Sequence, residues 1–243
     1  MDISEKTKNI NRHPWELSRS HNVLKLLQHI NNNAVYADIG AGDRFFTSKL
    51  LYITEGNVFA IDNGYSNSSG KEGRVICLND ISLLKNNCID CLIMMDVLEH
   101  IENEKLFLKA VLEKLRPNGD IIITVPAMRF LFSFHDVFLK HYRRYNRKQL
   151  FDLLLLNEIK IEQSYYFYTT LFVVRFFVSL IEKIFQTKKQ NFGIGLWGHS
   201  EKSFITRFFV IMLNMDFFLN KLLSKIFIRL PGLSLLAVGK KKS

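Results

Sequence analysis

The sequence predicts an α/β fold: a doubly wound, mostly parallel sheet with a hydrophobic helical insertion before its last strand. Between residues 34 and 125, apolar runs of strand length alternate with segments of helical periodicity, which is the pattern of such a sheet. The first run leads directly into a tight turn that contains Gly40 and Gly42. A long phenylalanine-rich segment then precedes one more apolar run at residues 233–240, which indicates the insertion.

The chain divides into three parts on this pattern. Residues 1–167 form the core, which begins with a helix from His13 to about Ile30 that covers the sheet. Residues 168–230 form the insertion, and residues 231–243 form the closing strand and a basic tail. Twelve of the 21 phenylalanines lie in the last third of the chain, so the composition changes where the insertion begins.

The turn after the first strand is suited to a nucleotide-like ligand. Glycine lets the backbone bend tightly and lets a ligand approach the main chain near the positive end of the following helix. Asp62 ends the next apolar run, 20 residues after Gly42, where a carboxylate can accept hydrogen bonds from both ribose hydroxyls. Phe45 stands where a dinucleotide-binding turn has its third glycine, so the pattern favours a nucleoside.

Two motifs resemble those of the class I S-adenosylmethionine-dependent methyltransferases, which have a Rossmann-like fold. The turn reads Asp38-Ile39-Gly40-Ala41-Gly42-Asp43-Arg44, and a later apolar run is followed by Asp96-Val97-Leu98-Glu99-His100. The resemblance implies S-adenosylmethionine as cofactor, held by six residues: Asp38, Gly40, Gly42, Asp62, Asp80 and Asp96. Arg44 replaces the last glycine of the family's loop, and we expect its side chain to point to solvent rather than to weaken cofactor binding.

Three details of this resemblance have a second interpretation. Asp80 would serve equally well as the N-cap of a short helix. Asp96, Glu99 and His100 resemble a trio that binds a divalent ion in a minority of these enzymes, but we expect no metal here. The first helix has the plain role of covering the sheet; the other interpretation places three of its residues over the cofactor pocket: Trp15, Glu16 and Arg19.

The segment after the strand at residues 120–125 concentrates groups that can act on a substrate. Substrates bind beyond the carboxyl ends of strands in such sheets, and five candidates lie there: His135, Asp136, His141, Arg143 and Arg144. Methyl transfer to a hydroxyl requires removal of its proton, and His135 with the adjacent Asp136 can act as the general base. Arg143 and Arg144 can fork onto a phosphate or carboxylate of the acceptor. In the alternative, the two arginines pair with acidic neighbours and His135 packs.

Residues 13–165 resemble methyltransferases that are common in bacterial surface-glycan and lipid-linked sugar pathways. This resemblance implies methyl transfer to a hydroxyl or carboxylate of a glycan, lipid or lipid-linked intermediate. One alternative is an RNA methyltransferase, favoured only by the net charge of +10; another is a non-catalytic scaffold, suggested by Arg44 and the insertion. No stripe of basic residues with interleaved aromatic residues marks a nucleic-acid module, so we expect no nucleic-acid partner.

The insertion at residues 168–230 has the composition of helices that lie at a membrane interface. Its first half carries a narrow polar stripe that includes Arg175 and Ser179, and the remainder is apolar. A spanning helix needs ~20 mostly uncharged residues, and charged residues interrupt both halves, so we expect peripheral contact. Lys188, Lys189 and the basic tail would add attraction to anionic lipid. In the alternative, these helices pack on the core or form a homodimer interface.

The location of the protein follows from what the sequence lacks. The polar stretch Met1–Arg12 has no apolar core of the kind that a signal peptide needs. The three cysteines form no disulfide framework, which fits a reducing compartment. We therefore expect a cytoplasmic protein that is held peripherally on the inner face of the membrane.

Overall fold

The structure, a computed structural model, describes residues 11–66, 70–185 and 197–243. Its described strands are β1 (Tyr36–Ile39), β2 (Val58–Ile61), β3 (Gly70–Glu72), β4 (Val75–Leu78), β5 (Ile89–Met95), β6 (Leu115–Pro126), β7 (Ile159–Phe167) and β8 (Ser234–Lys241). They form one sheet in the order β3-β4-β2-β1-β5-β6-β8-β7. β1, β2, β4, β5 and β6 pair in parallel, whereas β3, β7 and β8 run antiparallel to their neighbours. The predicted fold class is confirmed.

The helices in the described residues are α1 (Pro14–Leu27), α2 (Phe45–Leu50), α3 (Glu104–Leu112), α4 (Phe134–Phe138), α5 (Arg147–Leu156), α6 (Thr169–Phe185) and α7 (Phe204–Ser224). α1 begins where expected, because Pro14 occupies its first turn and the His13 side chain caps it. The sequence pattern predicts neither β3 nor α4. β3 is a fully exposed Gly-Lys-Glu segment without apolar alternation, and α4 is a five-residue helix opened by a Ser133–Asp136 capping box.

Alternate residues of β1 face two different hydrophobic layers. Ala37 and Ile39 belong to the layer that contains α3 and α5, whereas Tyr36 faces the layer that contains α1 and α7. The Phe217 ring of α7 stacks on Phe167 of β7, with 4.3 Å between ring centroids. The second half of the insertion therefore covers the sheet with one of its faces, which is part of the alternative interpretation of this segment.

The register of the parallel strands gathers the predicted cofactor residues at one edge. Ile39 of β1 pairs with Ile61 of β2 and with Met94 of β5, and Ile61 pairs with Leu78 of β4. The residues that follow these strand ends therefore lie side by side: Gly40, Asp62, Asp80 and Asp96. This is the edge at which ligands bind in open α/β sheets.

Candidate functional site

The turn after β1 has the backbone shape that glycine permits. Gly40 and Gly42 have φ angles of +70° and +52°, and a Cβ atom on Gly40 would lie 2.6 Å from Val97 Cγ2. Asp62 holds the turn from the end of β2, because its carboxylate accepts hydrogen bonds from the Gly42 and Gly64 amides, each at 2.8 Å. Hydrogen bonds thus link the turn to the carboxylate at the sheet edge.

Arg44 occupies the third glycine position of the loop with a φ of +66°, in the left-handed region where glycine is favoured. Its guanidinium lies 2.9 Å from Glu72 on the exposed strand β3, and its side chain is 44% exposed. The side chain therefore leaves the turn for the protein surface, as we expected. Arginine at this position makes the turn conformation less favourable than glycine would. Its side chain does not point into the site.

A cleft lies between this turn and α1. Asp38, Gly40 and Ala41 line it on the side of the turn, and Glu16 and Arg19 line it on the side of α1. Two of the three residues named for the second role of this helix, Glu16 and Arg19, therefore line the cleft, whereas Trp15 packs against the hydrophobic layer that contains α1. Sequence periodicity could indicate which residues of α1 are polar, but not that they face this turn.

Asp38 is a buried carboxylate in this cleft. It accepts a 2.6 Å hydrogen bond from Thr47 Oγ1, and it is only 2% exposed. Burial raises the pKa of Asp38 to about 6. A cationic group that entered the cleft would stabilise the ionised carboxylate, so Asp38 suits a positively charged ligand.

Asp96 forms an ion pair with Arg19 at the carboxyl end of β5, and it accepts a 3.0 Å hydrogen bond from Thr124 Oγ1. Burial alone would raise the pKa of Asp96, but the adjacent Arg19 guanidinium outweighs it and holds that pKa below its ordinary value. Asp80, in contrast, is exposed and accepts a 2.6 Å hydrogen bond from the Ser82 amide. Asp80 therefore caps a short helix, as its second interpretation proposed.

Asp136 is the centre of the segment that follows β6. Its carboxylate is fully buried and accepts hydrogen bonds from the Ser133 amide at 2.9 Å, Arg144 Nε at 2.7 Å and His141 Nδ1 at 3.1 Å. Burial opposes ionisation, but these partners outweigh it and lower the pKa of Asp136 to about 2. An ionised carboxylate can only accept, so His141 carries its proton on Nδ1 and leaves Nε2 as a base.

This geometry corrects the expected pairing of His135 with Asp136. The carboxylate meets His141, five residues away, because α4 turns the chain between them. His135 is half-buried, and burial lowers its pKa. The segment therefore holds a histidine–carboxylate pair, but the histidine is His141.

The two arginines of this segment are engaged by protein groups. Arg143 forms an ion pair with Glu104 at 2.7 Å and donates to the Glu102 carbonyl at 2.8 Å. Arg144 contacts Asp136 and the Ala127 carbonyl. The structure thus shows the alternative arrangement, in which both arginines pair with neighbours and shape the segment instead of reaching out to an acceptor.

A second buried carboxylate, Glu99, lies beside the histidine pair. It has no exposed surface, and neither of its oxygens has a hydrogen-bond partner in the described part of the structure. Burial and the nearby Asp96 raise the pKa of Glu99 well above its ordinary value. Ligand atoms of Glu99, His100 and His141 lie within 4.8 Å of one another, so these three, rather than a set with Asp96, could hold a divalent ion.

Sequence reasoning missed the proximity of His100 and His141, whose ring centroids lie 4.6 Å apart. The two rings come from segments that are distant in sequence. A 2.8 Å hydrogen bond from the Tyr142 amide to the Glu99 carbonyl joins these segments. No linear spacing signals such a contact.

Comparisons with known proteins agree with the fold. A family model described as a methyltransferase domain matches residues 37–123. A search of curated protein sequences gives no match. Solved structures with the same fold include a putative methyltransferase from Bacillus halodurans, with 12% identity and a TM-score of 0.57 over 93% of this chain and 100% of that one.

Two further solved structures share the fold. A SAM-dependent methyltransferase from Archaeoglobus fulgidus is 15% identical, with a TM-score of 0.55 over 93% of this chain and 94% of that one. A phosphoethanolamine N-methyltransferase from Haemonchus contortus, solved with S-adenosylmethionine, is 15% identical, with a TM-score of 0.55 over 93% of this chain and 52% of that one. Residues 37–123 are therefore a methyltransferase domain, and the chain has the fold of the S-adenosylmethionine-dependent methyltransferases.

Proposed function

We propose that this enzyme methylates a hydroxyl or carboxylate of a glycan, lipid or lipid-linked intermediate at the inner face of a membrane. S-adenosylmethionine, the proposed cofactor, supplies an electrophilic methyl group. The residues proposed to hold it are Asp38, Gly40, Gly42, Asp62, Asp80 and Asp96. Asp38 suits such a group because it is a buried carboxylate whose ionised form a cation would stabilise.

His141 is the proposed general base for a hydroxyl acceptor. Asp136 fixes its Nδ1 proton, which leaves Nε2 to take a proton from the acceptor. His135 is a second candidate, because it is only half-buried on α4. Arg144 supports the base by holding Asp136, and Arg143 fixes the segment to α3 through Glu104.

The case for a membrane acceptor rests on how α6 is oriented. Its polar residue Ser179 is buried, whereas large apolar residues on the same helix are exposed: Val173, Val174, Phe176, Phe177, Leu180 and Ile181. A helix on the surface of a water-soluble domain has the opposite orientation, with its apolar stripe facing the core. An exposed apolar face of this extent marks contact with a membrane or with a protein partner.

α7 also buries polar residues and exposes apolar ones, although its Leu213 and Phe217 face the sheet. Its polar residues Thr206, Asp216 and Asn220 are buried, and Asp216 accepts a hydrogen bond from the Thr170 amide of α6. Its outer face exposes large apolar residues at helical spacing: Phe204, Phe208, Ile211, Met215, Phe218 and Leu222. No helix in the described residues combines the length and apolar character needed to cross a bilayer. Lys188 and Lys189, expected to aid membrane contact, lie outside the described residues.

One contact joins this apolar face to the acceptor segment and carries the proposal. Phe130, just beyond β6, packs edge-on against Phe172 and Phe176 of α6, with ring centroids 6.3 and 6.2 Å apart. Arg175 of α6 is also close enough to His135 to lower its pKa, after the larger effect of burial. A membrane that contacted α6 would therefore present its acceptors beside His135 and His141.

The first experiment is calorimetric titration of the full chain with S-adenosylmethionine and S-adenosylhomocysteine. We expect micromolar binding of both ligands, abolished by Asp62→Ala and retained by Asp152→Asn, an exposed carboxylate on α5. Labelled methyl transfer to lipid-linked acceptors should then require vesicles. Transfer to RNA at low salt would instead support the RNA alternative, and failure of a folded protein to bind either ligand would support the scaffold.

A homodimer is the competing explanation for the exposed apolar face. Light scattering of the purified full chain distinguishes the two explanations. A monomer that binds vesicles supports membrane contact, whereas a stable dimer that ignores vesicles contradicts it.

A further inference from the structure

A second cleft, which we term the edge cleft, lies where β7, the start of α5 and the end of α7 meet. Four basic side chains line it: Arg147, Lys160, Arg229 and Lys242. Glu162 is the one carboxylate among its lining residues, so the cleft has a formal charge of +3. It shares no lining residue with the cofactor cleft, and the methyl transfer mechanism uses none of its groups.

The two arginines of the edge cleft have no carboxylate partner among the described residues. Within the described residues, no carboxylate lies within salt-bridge distance of any of its four basic groups, and Arg147 Nε is buried without a hydrogen-bond partner. Burial and the nearby Arg229 guanidinium lower the pKa of Arg147. Phe151 fixes Arg147 from one side, with the guanidinium 4.5 Å from the ring centroid. An anion between Arg147 and Arg229 would remove their repulsion and satisfy the buried donor.

The chemistry of this cleft favours a phosphate group. Arginine side chains present planar forks of N–H donors that match phosphate oxygens, and Ser164 is also among the residues that line the cleft. The rim indicates where that phosphate comes from. Ile226, Phe227 and Ile228 directly precede Arg229 and are all exposed, with Phe227 at 88%.

We propose that the edge cleft binds the phosphate of an anionic phospholipid headgroup, an inference that rests on the membrane contact in the proposed function. Apolar side chains on the rim would enter the acyl boundary while the arginines remain at the level of the phosphates. The cleft adjoins the end of α7, so it continues the apolar outer face of that helix. The enzyme would thus be held by one specific lipid contact besides the general attraction of its charge.

Vesicle flotation of the full chain tests this proposal with phosphatidylcholine vesicles and with vesicles that contain 30% phosphatidylglycerol. Each basic residue near an anionic surface contributes ~1 kcal/mol, so Arg147→Gln/Arg229→Gln should weaken binding to the anionic vesicles roughly 30-fold. The control Lys71→Gln/Lys85→Gln removes the same charge near the opposite edge of the sheet and should change binding less than about threefold. Arg229 is exposed, so Arg229→Gln alone tests the cleft without risk to folding.

The outcomes separate this proposal from the proposed function. If the wild-type chain ignores every vesicle, the membrane contact itself fails. If it binds anionic vesicles and the two double variants lose affinity equally, diffuse charge explains binding and the edge cleft is refuted. If calorimetry with soluble glycerol 1-phosphate shows binding as tight as that to vesicles, the ligand is a free phosphate ester and the lipid assignment is overturned.

Discussion

His141 Nδ1 lies 3.1 Å from Oδ1 of Asp136, a carboxylate with no exposed surface. This contact fixes the tautomer of the imidazole and predicts that His141→Gln lowers the rate of methyl transfer by roughly 10²- to 10⁴-fold, the usual contribution of a general base. Binding of the cofactor should be unchanged, because the imidazole would act on the acceptor. Single-turnover transfer and calorimetry measure the two effects. A larger loss of rate in His135→Gln than in His141→Gln would reverse the assignment.

Asp136→Asn should destabilise the fold. The substitution leaves Arg144 and its buried surroundings without a compensating charge, and breaking such a pair costs roughly 3–5 kcal/mol. Urea denaturation measures the loss in the free energy of unfolding. Asp152→Asn, which removes only an exposed ion pair with Lys148, is the control and should change that free energy by less than about 1 kcal/mol. Similar values for both variants would show that Asp136 is not a structural centre.

Arg44→Gly should stabilise the chain slightly and leave the cofactor affinity unchanged. Glycine adopts a φ of +66° without the steric cost of a side chain, which is of order 1 kcal/mol, although the exposed contact with Glu72 is lost. Thermal unfolding and calorimetry test the two halves of this prediction. A tenfold gain in affinity for S-adenosylmethionine would mean that Arg44 does disturb the cleft.

The ionisation of Asp38 should make stability fall as pH rises. Its pKa of about 6 in the folded chain lies above the ordinary 3.8, so the folded state binds this proton more tightly. The stabilising effect of the proton is complete below pH 3.8 and is lost as pH rises through about 6, a difference of roughly 3 kcal/mol by pH 8. Asp38→Asn should gain stability relative to the wild type between pH 5 and pH 8. A constant difference between the two unfolding curves would contradict this.

Removal of divalent ions should leave methyl transfer unchanged. Burial and the nearby Asp96 raise the pKa of Glu99, which disfavours the ionised carboxylate that a metal ion needs as ligand. Activity after treatment with a chelator and after addition of Mn²⁺ provides the test. Tight Mn²⁺ binding that Glu99→Gln abolishes would instead establish a metal site with His100 and His141.

Local patterns were enough to predict the core of the fold. The apolar run that precedes Asp96 is the strand β5 (Ile89–Met95), as expected for a central parallel strand that is buried on both faces. β3 escaped prediction because Gly70–Glu72 gains strand structure only by pairing with β4. The sequence also fails to indicate which face of α6 and α7 turns inward, since a narrow polar stripe is compatible with either orientation.

Some residues of the candidate site could likewise be predicted from the sequence and others could not. The residues of the turn at Gly40 and Gly42 are contiguous in sequence, so a sequence motif predicts the turn. Asp62 is predicted from the spacing between adjacent strands. His141 and Glu99 come together only through the path of the chain after β6, which depends on tertiary contacts. The partner of Asp136 was accordingly misassigned to its neighbour in sequence.

The position of β8 between β6 and β7 determines when this protein can finish folding. β7 emerges from the ribosome first, yet the one strand that pairs with it among the described residues is formed by residues 234–241, which are synthesised after α6 and α7. Until then the edges of β6 and β7 are unpaired, which is the state in which sheets aggregate. During synthesis, the apolar outer faces of α6 and α7 are therefore available before the sheet can close. Loss of residues 234–241 would leave both edges open permanently.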